Sequence, residues 1–388
     1  MEVVMCKPVS VEVVSSRQTL SEKVRQFTPN WFAMTMGNGI VSLVFAGLPL
    51  GFAGPHAIAA TLWGVNVALY AACFGMLMAR VIRHPETIRP MLHHPLQSMF
   101  LGAIPMGLVP IINGWVLFAA PHIGAGAYTV AYYLWWFDSL LAVAIAIGVP
   151  YLMFTEQSHA FERLSAVLLL PLVGPEVAAS SAAVIAPHLP IETARMVIGV
   201  GYALWAVSLS LAFAVLTIVF FRLVIHKLPH RDLAPSSWLT LGPIGTGALG
   251  ILGLGQASRA AFQGSAFVQL SAIASELGVA CALLLWSAGV WWFVIAMLFT
   301  LRYRKEGMQF NLGWWGFTFP LGVYTAATLA LHRATGIAAF GVLGTMLAML
   351  LGGFWIVVLS KTIRCVLRDQ LFQAPCLASM RPGGYNLL

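Results

Sequence analysis

The sequence predicts an all-α integral membrane protein with ten transmembrane helices, arranged as five helix hairpins around a central pore. The composition is the first observation behind this prediction. Of the 388 residues, 60% are hydrophobic and 9% are charged, and the mean hydropathy is +0.86. Soluble domains carry about 25% charged residues. A chain this apolar must lie mostly in lipid.

Ten apolar spans are the second observation. Each is long enough for the roughly 20 residues that a helix needs to cross a bilayer. Short loops join the spans in pairs, which predicts hairpins. The predicted spans are 30–49, 55–80, 98–120, 126–151, 164–186, 195–221, 237–257, 267–301, 311–332 and 336–363.

The third observation is that proline and glycine recur inside the odd-numbered spans. Proline breaks the backbone hydrogen-bond ladder, and lipid tolerates such a break only where protein or a water-filled cavity surrounds it. Alternate broken helices therefore predict one shared internal path, kinked inner helices, and a transporter or channel. The predicted path-lining breaks are Gly37, Gly39, Pro105, Pro171, Pro175, Pro243, Gly247 and Pro320.

The basic residues predict the orientation of the chain. All but three of the 21 Lys and Arg residues fall in the tails or in loops on one side, the exceptions being Arg195, Arg259 and Arg333. The positive-inside rule then places both termini in the cytoplasm. We expect a cytoplasmic tail at 1–26, a transport domain at 27–365 and a second tail at 366–388. The net charge of +8 is explained by this bias and does not indicate a nucleic-acid partner.

Motifs of enzymes and of metal sites are missing from the sequence. The five cysteines are not in Cys-x-x-Cys spacing, and no phosphate-binding loop or nucleophile elbow occurs. The sequence therefore predicts no metal, no cofactor and no enzymatic activity. A membrane-embedded enzyme or an assembly subunit is the alternative from another class, and it would require a co-purifying cofactor.

Three acidic residues fall inside predicted spans, where ionisable groups are energetically unfavourable and need an explanation. Glu276 lies nearer the outer end of the eighth span, where we expect it to be solvated or tied to Arg259. Glu176 follows Pro175 in the fifth span. It is either a proton-coupling carboxyl on the transport path or a neutral acid bonded to a carbonyl that Pro175 frees. Asp138 lies in the unbroken fourth span, where we expect a structural tie to an inner helix.

The apolar side chains beside the breaks are candidates for a gate, because a hydrophobic constriction closes a pore by dewetting. Phe319, directly before Pro320, is the best candidate. No Lys or Arg lies at mid-span. Helix breaks expose N–H groups that favour anions and carbonyls that favour cations, so the breaks alone leave the sign of the substrate open.

Seven motifs occur in order along the chain and agree with one known family. They resemble the tellurite-resistance/C4-dicarboxylate transporter family, which includes fungal sulfite pumps, fungal malate permeases and plant slow anion channels. The motifs are Phe27–Trp31 with Met36–Ile40, Gly102–Leu108 with Ile111–Asn113, Leu134–Asp138, Ala178–Ser181, Leu241–Gly247, Trp314–Gly322 and Val342–Thr345.

The resemblance implies five hairpins around a pore, a trimer with one pore per subunit, and occlusion of the pore by Phe319. The third, fourth and seventh spans are most similar to the fungal sulfite pump. Two departures are notable. Gly-Asn-Gly stands where Gly-Thr-Gly or Gly-Val-Gly is more usual, which places Asn38 near the path, and Glu176 stands where the sulfite pump has an apolar residue.

The function predicted first is export of sulfite across the plasma membrane through a Phe-gated pore. A C4-dicarboxylate (malate) carrier or anion channel is the alternative within the family. The expected partners are a small anion, the lipid bilayer and further copies of the chain.

Overall fold

The computed structural model describes residues 18–49 and 54–378, and every regular element in these ranges is helical. The all-α prediction is confirmed. Ten principal helices follow one another along the chain. They are α1 (Phe32–Ala46), α2 (Gly54–Arg83), α3 (Ala103–Gly114), α4 (Ala125–Thr155), α5 (Leu170–Ile185), α6 (Ile191–His226), α7 (Leu241–Ala261), α8 (Val268–Glu306), α9 (Phe319–Thr335) and α10 (Ala338–Leu367).

Eight helical stretches in the described ranges are long and apolar enough to cross a membrane. The exceptions among the ten predicted spans are α1, with 15 residues, and α9, with 17. Most of their residues, 12 of 15 in α1 and 12 of 17 in α9, are buried against other helices. A helix enclosed by protein need not match the bilayer thickness by itself. The count of ten membrane spans therefore stays a prediction.

The odd-numbered and even-numbered helices form two rings. In the helical stretches that contain α3, α5 and α7, 83%, 89% and 78% of the most apolar 18-residue segment is buried inside the protein. In α2, α4, α6, α8 and α10 the corresponding share is between 22% and 33%. The odd helices therefore form an inner bundle, and the even helices separate it from lipid.

The inner ring closes in chain order. Helix α1 packs on α3, α3 on α5, α5 on α7, α7 on α9, and α9 returns to α1. Each even helix fills the groove between the odd helix before it and the odd helix after it, with α10 lying between α9 and α1. The chain is thus a fivefold repeat of one helix pair.

Four of the five prolines that were predicted to kink the inner helices at mid-span lie instead at the start of an α-helix. A 3-10 turn precedes α1, α3, α5, α7 and α9, and Pro105, Pro171, Pro243 and Pro320 fall in the first turn of the following α-helix. Proline is tolerated there because the first N–H groups of a helix have no intrahelical acceptor. The break is therefore a change from 3-10 to α-helix. Pro110 in α3, Pro175 in α5 and Pro150 in α4 are the prolines inside helices.

Glycine allows close approach of the inner helices around the whole ring. A Cβ on Gly102 would lie 2.0 Å from the carbonyl oxygen of Leu170, and one on Gly245 would lie 2.7 Å from the backbone nitrogen of Tyr324. At the remaining interfaces the added Cβ would lie 2.2 to 2.9 Å from a side chain of the neighbouring helix. These interfaces are made by Gly39 and Gly107 between α1 and α3, Gly253 between α7 and α5, and Gly37 and Gly322 between α1 and α9.

One tryptophan in each outer helix ties that helix to the inner ring. The indole N–H groups of Trp135 and Trp205 donate to the carbonyl oxygens of Ala178 and Gly247, each at 2.9 Å. In every case the acceptor lies on the next odd helix. The other three donors are Trp63 to Ile111 O, Trp286 to Thr328 Oγ1 and Trp355 to Asn38 Oδ1.

Gly102→Ala should destabilise the fold because the new methyl group would meet the backbone of Leu170, which cannot move aside. Overpacking of this kind costs on the order of 1–3 kcal/mol. We expect a lower thermal unfolding midpoint for the purified variant. Gly64→Ala is the control, since no atom lies within 4 Å of its added Cβ, and its midpoint should be unchanged or higher. Equal midpoints for both variants would contradict the close packing.

Trp135→Phe should also lower the unfolding midpoint. The change keeps an aromatic ring at a fully buried position but leaves the Ala178 carbonyl without the indole donor. Losing such a buried bond costs about 1–2 kcal/mol. Trp291→Phe serves as control because Trp291 is 48% exposed on the outer face of α8. If both variants unfolded at the wild-type temperature, the hydrogen bond from Trp135 to the Ala178 carbonyl would not stabilise the fold.

Candidate functional site

A cavity of about 380 Å³ lies on the axis of the bundle, at the end where the described termini meet. We call it the vestibule. The 3-10 turns that precede all five inner helices line it. They contribute Asn30, Phe100, Val167, Leu239 and Trp315 in chain order. The vestibule is therefore built by the same segment of every repeat.

Beyond the vestibule the axis narrows to a void of about 10 Å³. A cavity needs about 10–15 Å³ of space accessible to the centre of a water molecule if it is to hold one water. The void is at or below that limit, and every residue lining it is apolar. Each inner helix contributes to it, with Met36, Met106, Val173, Pro243 and Phe319 in chain order. The axis is therefore closed and dry at this level.

Five side chains line both the vestibule and the void, and so separate the two. We call this set the constriction. Phe319 is its largest member and is only 4% exposed. The members of the constriction are Met36, Leu170, Leu239, Phe319 and Pro320.

Neighbouring contacts fix the position of the Phe319 backbone. The Thr318 hydroxyl donates to the Trp315 carbonyl at 2.7 Å, and Gly322 N–H donates to the Thr318 carbonyl at 2.8 Å. The Trp315 indole donates to Thr362 on α10 at 3.1 Å. This 3-10-to-α junction holds the Phe319 backbone between α1 and α10.

Three candidates from the first span lie between helices. A Cβ on Gly37 would come within 2.2 Å of Thr318 Oγ1, and one on Gly39 within 2.5 Å of Pro110 Cβ. The Asn38 amide donates to the Leu62 carbonyl at 3.2 Å and accepts from the Trp355 indole. Gly37 and Gly39 allow close helix packing, and Asn38 ties α1 to the outer helices α2 and α10.

Among the proline candidates, Pro243 lines the void and Pro320 lines both cavities. Pro105 instead packs between helices, with its Cγ 3.5 Å from a Cβ built on Gly174. Pro171 and Pro175 are buried in α5 and line neither cavity.

The Glu176 carboxyl lies between α5, α6, α7 and α8. A Cβ on Gly247 would come within 2.7 Å of Glu176 Oε1 and within 3.0 Å of Leu209 on α6. Glu176 is fully buried, and neither carboxyl oxygen accepts a hydrogen bond from any described residue. It lines neither axial cavity.

Two hydroxyl groups lie beside the Glu176 carboxyl, those of Ser208 and Thr246. Each hydroxyl gives its proton to a backbone carbonyl, Ser208 to Leu172 at 2.6 Å and Thr246 to Gly242 at 2.7 Å. Both hydroxyls can then only accept a further bond. The surroundings therefore suit a carboxyl that carries its own proton and donates it.

Asp138 is fully buried on the inner face of α4, one turn from Trp135. Both carboxyl oxygens, and the neighbouring Ser139 hydroxyl, have no hydrogen-bond partner within the described residues. Asp138 faces the inner bundle as expected of a structural residue, but the bond that would tie it to an inner helix is not formed with those residues.

The C-terminal segment 369–378 crosses the mouth of the vestibule. Its Phe372 ring stacks on Trp31 with centroids 4.9 Å apart, and Asp369 pairs with Lys23 at 2.5 Å. Ala374 N–H donates to Gln26 Oε1 at 2.8 Å. Gln370, Leu371, Gln373 and Pro375 of this segment line the vestibule.

Reasoning from the sequence missed most of the constriction. Met36, Leu170 and Leu239 carry no chemistry that marks them individually. The available signal was positional, since each lies within about one helical turn of a Gly or Pro of an inner helix.

The assembled site can bind and release a small solute in the vestibule and block its passage at an apolar constriction. Such a constriction gates by excluding water. The first turns of α3, α5, α7 and α9 surround it, and the N-terminal ends of helices carry partial positive charge.

Comparison with known proteins also indicates an anion channel or transporter. A family model for voltage-dependent anion channels matches residues 26–363. The sulfite efflux pump of Arthroderma otae is 36% identical over 355 residues, covering 90% of this chain and 93% of that protein. An uncharacterised transporter of Methanocaldococcus jannaschii is 26% identical over 90% of this chain and 98% of its own length.

A more distant relative is the malic acid transport protein of Schizosaccharomyces pombe, which is 22% identical over 91% of this chain and 81% of its own length. These proteins are named as transporters, and the family model as a channel. The chain is therefore a multi-pass membrane protein that transports solutes and is not an enzyme. It belongs to the voltage-dependent anion channel family.

Proposed function

We propose that this protein exports sulfite across the plasma membrane through the axial path. The observation that carries the proposal is the 36% identity, over 90% of the chain, to the sulfite efflux pump of Arthroderma otae. The geometry is consistent with it. One axial cavity ends at an apolar constriction, and the positive ends of four helices surround that constriction, which favours an anion over a cation.

Malate is the second candidate, on the strength of the 22% identity to the malic acid transport protein of Schizosaccharomyces pombe. Efflux from proteoliposomes loaded with sulfite or with malate, at matched pH and membrane potential, separates the two. Sulfite should leave much faster. Faster malate efflux would assign the chain to dicarboxylate transport, and if neither anion left faster than from empty vesicles, the proposed function would fail.

The orientation and assembly belong to the same proposal. The three basic residues Arg195, Arg259 and Arg333 lie at the end of the bundle opposite the described termini, which supports cytoplasmic termini. The vestibule then opens to the cytoplasm, where an exporter collects its substrate. The apolar outer faces of the even helices can meet lipid or neighbouring subunits, and we propose a trimer with one path per subunit, as the family resemblance implies.

Phe319→Ala should increase anion flux. Removing the ring opens the constriction and lets water into the void, which lowers the barrier for an ion. Removing about 1.4 kcal/mol from the barrier raises the rate roughly tenfold. The measurement is sulfite efflux from proteoliposomes, normalised to the amount of folded protein.

The matched control is Phe317→Ala. Phe317 lies two residues away and is similarly buried, but packs on Trp238 and Phe354 and lines neither axial cavity. It should lose stability without gaining flux. A rise in flux in both variants, or in neither, would show that Phe319 is not the gate.

For Glu176 we propose the structural role. The carboxyl is off the axis and is surrounded by hydroxyls that can only accept, and an isolated buried carboxylate is energetically very unfavourable. Glu176 is then an uncharged carboxyl whose single O–H can donate to the hydroxyl of either Ser208 on α6 or Thr246 on α7, and it does not exchange a proton with the substrate.

Glu176→Gln should therefore leave the pH dependence of sulfite transport unchanged, because the amide keeps a donor at the same place. Glu176→Leu should lower the unfolding midpoint, because it removes that donor. The measurements are transport rates between pH 5 and 8 and thermal unfolding. A flattened pH profile in Glu176→Gln would instead establish Glu176 as the proton-coupling group.

A further inference from the structure

Among the polar side chains that line the vestibule and make no hydrogen bond to a described residue, three belong to almost fully buried residues. They are Thr28 before α1, Gln97 before α3 and Ser236 before α7, and they are 3%, 2% and 7% exposed; Asn30, which is half-buried, also has an unpartnered Oδ1. Nearly every other buried hydroxyl in these ranges donates to a backbone carbonyl. Buried polar groups without partners are unusual in proteins and call for an explanation.

These three residues share one cavity although they come from three different repeats. All of them line the vestibule of about 380 Å³. Together they present two hydroxyl donors and one amide to a common space. Gln97 Oε1 is itself unpartnered, so either orientation of the amide leaves a polar atom unpartnered.

The backbone at Gln97 is held in place. His94 Nδ1 accepts the backbone N–H groups of Leu96 and Gln97, at 3.2 and 3.3 Å. Burial lowers the pKa of His94, which favours the neutral ring that can accept these bonds. The turn that carries Gln97 is therefore rigid, as expected of a residue that positions a ligand.

We propose that Thr28, Gln97 and Ser236 form a binding site for a small oxyanion in the vestibule, and that the transported anion binds there before it crosses the constriction. The inference rests on the proposed function. Hydrogen bonds from neutral donors to an anion are stronger than those between neutral groups. All three side chains line the same cavity, and a compact anion such as sulfite offers three oxygens as acceptors.

The charge in the vestibule favours weak, reversible binding. No Lys or Arg lines it in the described part of the chain, and its single acidic residue is Asp232. Asp232 pairs with His230 at 3.3 Å and repels anions at the wall. A site without a fixed cation releases its anion easily, which a transport path requires.

The test is a titration of the purified full-length protein with sodium sulfite, followed by the shift of the thermal unfolding midpoint. Ser236→Ala, Thr28→Val and Gln97→Leu should each weaken sulfite binding roughly tenfold, the loss typical of one hydrogen bond to a charged group. Asp232→Asn should tighten it. Ser237→Ala is the matched control, because the Ser237 hydroxyl already donates to the Ala234 carbonyl and lies outside the vestibule.

Sulfite efflux by the same proteins separates this inference from the proposed function. If the wild type exports sulfite but Ser236→Ala and Thr28→Val bind it as the wild type does, the site is wrong and the function stands. If the wild type exports no sulfite, the proposed function fails. If Gln97→Leu does not fold, sulfite binding by Ser236→Ala and Thr28→Val is sufficient to test the site.

Discussion

Close, glycine-mediated packing of the five inner helices is the constraint on which the rest of the structure depends. In a membrane no hydrophobic force draws helices together, so association relies on close van der Waals packing and hydrogen bonds. Glycine provides that closeness at each interface of the ring, from Gly102 against Leu170 to Gly322 against Ile40. Because the ring is tight, the space left on its axis at the level of Phe319 is at the limit for a single water molecule. The constriction is thus a product of the packing as much as of one aromatic side chain.

The outer ring is attached by a different interaction. Each even helix donates one indole N–H to the following odd helix. In an environment that offers no competing water, such a bond fixes both the depth and the rotation of the outer helix. The even helices can then remain apolar elsewhere on their surface. This explains how a chain with so few charged residues specifies one arrangement of ten long helices.

Much of the fold could be predicted from the sequence, because hydropathy and proline placement report directly on lipid contact. Alternation of broken and unbroken spans was sufficient to distinguish inner from outer helices. The proline geometry was not predicted, since a Pro in the first turn and a Pro at a kink look alike in a sequence. The tryptophan anchors Trp63, Trp135, Trp205, Trp286 and Trp355 recur once per repeat, but three of their acceptors are backbone carbonyls, which have no sequence signature, and the other two are the side chains of Thr328 and Asn38. Glu176 and Asn38 were expected near the path, but their side chains lie between helices, because a sequence does not show which face of an inner helix meets the axis.

The position of the 3-10-to-α change connects the fold to transport. The change occurs where the inner helices pass from the vestibule to the constriction, so each repeat turns from a wide cavity to a closed one at the same level. On the vestibule side the repeats present polar side chains without partners, and on the other side they present Met, Leu, Val and Phe. An anion in the vestibule would be held by neutral donors and attracted by the positive ends of four helices, yet opposed by a dry apolar layer. Under the proposed function, movement of Phe319 controls passage, and the proposed donors in the vestibule select the anion that binds before it.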